Sequence, residues 1–68
     1  MRTLVSPRQT DILMLVAADR SDKEIAVALG ISRRTVRTHL ERFYRTHSVH
    51  SRAGAVARWL ILQRDSYR

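Results

Sequence analysis

Residues 21 to 39 read Ser21-Asp22-Lys23-Glu24-Ile25-Ala26-Val27-Ala28-Leu29-Gly30-Ile31-Ser32-Arg33-Arg34-Thr35-Val36-Arg37-Thr38-His39, and the fold turns on this stretch. Ser21 and Glu24 have the spacing of a capping box, in which the Ser hydroxyl accepts from the Glu N–H and the Glu carboxylate accepts from the Ser N–H. A helix therefore begins at 22. Ile25, Ala26 and Leu29 form its apolar side, and Gly30 arrives where a helix end needs a residue able to take positive φ, so the helix spans 22–29. Ser32 caps the next helix after a connection of about three residues, the length of a helix-turn-helix corner. Beyond it Val36, Leu40 and Phe43 recur at i, i+4 and i+7, one narrow apolar stripe on a helix from 33 to about 46. Arg34, Thr38, Glu41, Arg42 and Arg45 fall on the opposite side.

Working outward, Ser6-Pro7 is an N-cap followed by a proline at the first helical position, where its missing N–H costs nothing. Ile12, Leu13, Val16 and Ala17 then repeat at helical spacing, which predicts a helix over 7–18. Toward the other end Ser51 caps a fourth helix over 51–63, with Ala53, Val56, Ala57 and Leu60 as its core line, and a tail from Asp65 to Arg68 that should fray. No strand-like alternation, internal repeat or linker interrupts the pattern. The expectation is an all-α four-helix bundle with a helix-turn-helix, forming one domain over 1–68.

A chain of 68 residues buries only about 60% of its unfolded surface and leaves no room for a substantial enzyme pocket. Cys is absent, which excludes disulfides and thiolate metal sites. Neither a long apolar run nor a signal-peptide pattern occurs, so a soluble cytoplasmic protein is expected. Thirteen Lys and Arg against six Asp and Glu give a net charge of +7, and the excess is uneven. Residues 33 to 52 hold Arg33, Arg34, Arg37, Arg42, Arg45 and Arg52 against Glu41 alone. A merely solvated surface would interleave the signs better. Arg has a planar fork that suits phosphate oxygens and guanine edges.

Five segments taken together resemble the C-terminal DNA-binding domain of LuxR-type regulators, a family that includes the effector domains of many response regulators. They are Val5-Ser6-Pro7-Arg8 with Ile12-Leu13, Ser21 to Ala26, Leu29-Gly30-Ile31-Ser32, Thr35-Val36-Arg37-Thr38-His39, and Val49-His50-Ser51-Arg52-Ala53. The resemblance covers residues 4 to about 62 and implies transcription regulation by sequence-specific binding to double-stranded DNA, with RNA polymerase as a further partner and no cofactor. This chain departs from the family pattern at Gln9, where Glu is usual, at Asp19, near which Gly is usual, and at Thr46-His47-Ser48, where Lys-Leu-Gly is usual. Ser accepts positive φ less readily than Gly, so the turn between the third and fourth helices is the most consequential departure.

A helix 10 to 12 Å across fits a B-DNA major groove about 12 Å wide, and its first exposed turns reach base edges. Here those turns present Arg33, Arg34, Arg37, Thr38 and Glu41. Arg34 and Arg37 can fork onto guanine, Thr38 can meet a thymine methyl, and Glu41 can accept from a cytosine amino group. Phosphate contacts are expected from Thr35, Arg42 and Arg45 on the same helix, and from Ser51 and Arg52 at a helix N-terminus, which favours anions. The family resemblance adds His39 and Lys23 to that set.

On the fourth helix Ala55, Trp59 and Leu62 form a second apolar line opposite the expected core line, and it reads as a homodimer surface. Metal binding is not expected: His47 and His50 flank the Ser48-Val49 turn, and no carboxylate or Cys lies near enough to complete a set with His39. Catalysis is not expected either, because no nucleophile elbow, Gly-rich loop or paired carboxylates occur. Two rival readings share the basic face: a module that docks on an acidic protein partner, and a sigma-factor-like promoter-reading domain.

Overall fold

The computed structural model describes residues 5–66, which form four helices: α1 Pro7–Ala17, α2 Asp22–Leu29, α3 Arg33–His47 and α4 Arg52–Ser66. Each of the first three starts on a serine in extended conformation. Ser6 accepts from the Gln9 N–H, Ser21 from the Glu24 N–H and Ser32 from the Thr35 N–H. Ser21–Glu24 closes the expected capping box, and Ser6–Gln9 closes a second one beyond the simple N-cap expected at Ser6. α4 begins the same way, the Ser51 hydroxyl accepting from the Gly54 N–H at 3.0 Å.

The first three helices also end alike. At each C-terminus one residue turns left-handed: Asp19 at φ 65°, Gly30 at φ 68° and Ser48 at φ 54°. The N–H that follows then reaches back five residues, Arg20 to the Leu15 carbonyl, Ile31 to Ala26 and Val49 to Tyr44, all within 3.0 Å. This is the Schellman closure, which satisfies carbonyls the helix leaves unpaired. Gly30 meets it without strain; Asp19 and Ser48 do so with a Cβ that disfavours that conformation. The turn before α4 therefore closes in the same way as the turn at Gly30, despite its serine.

Ile12, Leu13 and Val16 of α1, Ile25 and Ala26 of α2, and Val36, Leu40 and Phe43 of α3 meet in the core, joined by Val5. Leu29 packs on its edge, while Ala17, expected inside, is exposed. α1 packs against both α3 and α4, and α2 packs on α3. Gln9, buried, ties α1 to α3: its side-chain amide donates to the His39 carbonyl at 3.4 Å while its Oε1 accepts from the Ser6 N–H. A glutamate could accept from Ser6 but not donate to His39.

The expected faces of α4 are reversed. Ala55 is 0% and Trp59 6% exposed, both inside the core, and Leu62 is half-buried against it. The line expected inside, Ala53, Ala57 and Leu60, faces outward, with Leu60 at 52%; only Val56 of that line packs on the core, half-buried. Trp59 decides the orientation, because burying one indole removes more apolar area from water than burying several alanines. Ala55, Trp59 and Leu62 are thus part of the fold and not a free surface for a second copy. α4 also continues to Ser66, past the expected end at 63, and includes two residues of the tail expected to fray; Tyr67 and Arg68 lie outside the described residues.

Candidate nucleic-acid interface

The narrow stripe of α3 fixes its exposed side. Val36 and Phe43 are fully buried and Leu40 nearly so, which pins the helix along one line. Arg33, Arg34, Arg37, Thr38, Glu41, Arg42 and Arg45 are all exposed, as the spacing predicts. Five of these seven are arginines, carried on a rigid element whose other side is held by packing.

Thr35 and His39 lie at the flanks, each half-buried. The Ser32 hydroxyl accepts from the Thr35 N–H at 3.0 Å and donates to Thr35 Oγ1 at 2.9 Å. The Thr35 hydroxyl, accepting here, still has a proton of its own to donate. His39 lines a shallow groove with Arg8, Gln9 and Arg42, between the start of α1 and the middle of α3.

The starts of α2 and α4 complete the surface. Lys23 and Arg33 line one groove with Arg20, Asp22 and Arg52, so cations from α2, α3 and α4 meet there. Sequence spacing gave no sign of the contact at its centre. Asp22 Oδ1 accepts from Arg52 Nη1 at 2.7 Å, and its Oδ2 lies 3.5 Å from Arg37 Nη2. The other terminal nitrogen of Arg52 donates to the Arg20 carbonyl at 2.9 Å. Two residues expected on DNA, Arg37 and Arg52, therefore share one carboxylate in the free protein. Half-buried Tyr44 lies in the field of the same three groups: burial raises its phenol pKa, with Arg52 lowering it, Asp22 raising it and Arg37 lowering it. Ser51 is exposed, but its hydroxyl already accepts within the cap of α4.

Among the described residues no group of three or more His, Cys, Asp and Glu is placed to hold a metal ion. His47 does not join the exposed face. It stacks on Phe43 with ring centroids 4.3 Å apart, and its Nε2 is closed off from solvent without a hydrogen-bond partner. Burial lowers its pKa, and Arg58 lowers it further. No helix is long and apolar enough to cross a membrane among the described residues.

A short helix, a three-residue corner and a longer exposed helix define a helix-turn-helix protein. The pattern of the luxR family of bacterial regulatory proteins matches residues 3–59, and the chain belongs to that family as its helix-turn-helix DNA-binding domain. Relatives agree. The chain is 49% identical over 51 residues to YhjB of Escherichia coli (strain K12), described as an HTH-type transcriptional regulator, with 75% of this chain and 26% of the relative covered. It is 39% identical over 59 residues to the transcriptional activator protein CarR of Pectobacterium carotovorum subsp. carotovorum, covering 87% of this chain and 24% of the relative. Among solved structures, the response regulator ChrA of a heme-sensing two-component system superposes with a TM-score of 0.78 at 34% identity, covering 91% of this chain and 32% of that one. The chain thus spans about a quarter of the length of these two curated relatives.

Proposed function

We propose that this domain binds double-stranded DNA sequence-specifically as a homodimer, in the bacterial cytoplasm, and regulates transcription by laying α3 in the major groove. The observation that carries the reading is the exposed row Arg33, Arg34, Arg37, Thr38 and Glu41 on the first turns of a helix pinned from behind by Val36, Leu40 and Phe43. These five residues read base edges, while Lys23, Thr35, His39, Arg42, Arg45 and Ser51 contact phosphate.

The observed orientation of α4 supports its outward side as the dimer surface. Ala53, Ala57, Leu60 and Ile61 share its outward side, with Leu60 52% and Ile61 55% exposed. Small Ala53 and Ala57 allow two helices to approach closely, and an isologous contact is the commonest way to close such a strip. Pairing there sets two recognition helices about 34 Å apart, on successive major-groove turns. So short a contact is weak in free solution and tightens on an inverted repeat.

The test is the salt dependence of duplex binding. Roughly 4 to 6 phosphate contacts per protomer imply a log–log slope of about −4 to −5 per protomer. A slope near zero excludes the nucleic-acid reading, whereas nothing beyond weak retention that salt removes favours a module that docks on an acidic protein.

A further inference from the structure

Among the described residues, Asp22 is the carboxylate at the meeting point of α2, α3 and α4 that holds two arginines of the exposed basic side, and its own side chain is only 19% exposed. The two are held differently. Arg52 is gripped: it meets Asp22 at 2.7 Å and the Arg20 carbonyl at 2.9 Å. Arg37 is only leaned on, at 3.5 Å through one terminal nitrogen, with its side chain 68% exposed. A guanidinium has five N–H donors in a fixed fork, so one edge can rest on Asp22 while the others remain available to a ligand.

Resting on the proposed DNA binding, we propose that Asp22 is a specificity-determining positioning residue: it holds the Arg37 fork toward the base edges and away from the phosphates. An exposed arginine beside DNA is drawn to the nearest phosphate, a contact every sequence offers equally. A carboxylate fixed next to it supplies a competing anion within the protein and repels the phosphates themselves. Arg37 then gains full contact only where a guanine presents O6 and N7 to its remaining donors. Arg52 acts as the strut that keeps Asp22 in place, binding the start of α4 to the start of α2, and it leaves phosphate contact to its neighbours.

The experiment uses the 68-residue chain, a duplex selected from random sequence by the unaltered chain, and a random duplex as competitor. Asp22→Asn should bind random duplex severalfold more tightly, while its preference for the selected duplex falls about tenfold. Combining it with Arg37→Ala separates positioning from a structural role, because Asp22→Asn should no longer change the preference once Arg37 is gone. If Asp22→Asn moves both affinities by one common factor, or lowers the preference equally without Arg37, the proposal is overturned. Should Asp22→Asn lose its helical circular dichroism, Asp22→Glu keeps the charge but displaces it, and an unchanged preference there overturns the proposal as well. Failure of the unaltered chain to bind any duplex removes the DNA reading itself; an unaltered chain that discriminates no better than Asp22→Asn removes only the role of Asp22.

Discussion

α3 and α4 are both 15 residues long, yet their sequences constrain them very differently. α3 has a single apolar line with charge almost everywhere else, so it can face the core in only one way. α4 carries Ala53, Ala55, Val56, Ala57, Trp59, Leu60, Ile61 and Leu62, apolar residues on every side. Periodicity alone gives such a helix two competing inward faces, and the choice passes to side-chain volume. The contrast also bears on the proposed function: a helix with one apolar line has its polar side free for a ligand such as DNA, whereas a helix with two has a second line exposed.

The largest expected effect tests which line is structural. Trp59→Ala should cost about 3–5 kcal/mol, the range for truncating a buried aromatic. That is comparable to the whole stability of a domain this small, so most helical circular dichroism at 25 °C should disappear. A folded Trp59→Ala variant would mean that the two faces of α4 have been assigned the wrong way round.

The outward line is probed by Leu60→Glu. Leu60 is half-exposed in the free chain, so its replacement should change stability by under about 1 kcal/mol. It should nevertheless reduce cooperative occupancy of an inverted-repeat duplex at least tenfold, since a glutamate would be set against its symmetry mate. Equilibrium binding to one and two half-sites measures this, and unchanged cooperativity would exclude α4 as the dimer contact.

A third variant compares the turns. Gly30 and Ser48 adopt nearly the same left-handed conformation and close the same five-residue bond, but only Ser48 has a Cβ. Ser48→Gly should therefore stabilise the domain by about 1 kcal/mol, raising the melting temperature by roughly 4–8 °C. A lower melting temperature would show that the serine contributes more than its backbone strain removes.

What was legible follows the same division. The starts of the helices were readable because Ser6, Ser21, Ser32 and Ser51 act on residues three positions away, and the exposed side of α3 because its period admits one solution. The line of Ala55, Trp59 and Leu62 was misread because nothing local ranks a tryptophan against four smaller side chains on the other face. Asp22 was read only as part of a capping segment. Its bonds to Arg37 and Arg52 span 15 and 30 residues of chain, and such contacts exist only after the helices have packed.

The smallest effect concerns His47, where α3 reaches the α4 side of the bundle. Its ring lies on Phe43 and its Nε2 is buried without a partner, so the neutral form suits the site and the charged form does not. Burial, and secondarily Arg58, lower its pKa from the ordinary value near 6.5. On its own helix Arg45 adds positive charge nearby in sequence, and no acidic group contributes to the shift. Because the unfolded chain takes up the proton more readily than the folded one, stability is greatest above about pH 6.5 and declines as pH falls toward the lowered folded value. His47→Leu removes both the titration and the orphaned nitrogen, whose burial costs on the order of 1 kcal/mol. The variant should melt higher than the parent at pH 7.5, and its advantage should widen by pH 5.5. Thermal unfolding at the two pH values decides it. Parallel declines of parent and variant would mean that the acid sensitivity resides elsewhere and that the His47 ring escapes its site before it is protonated.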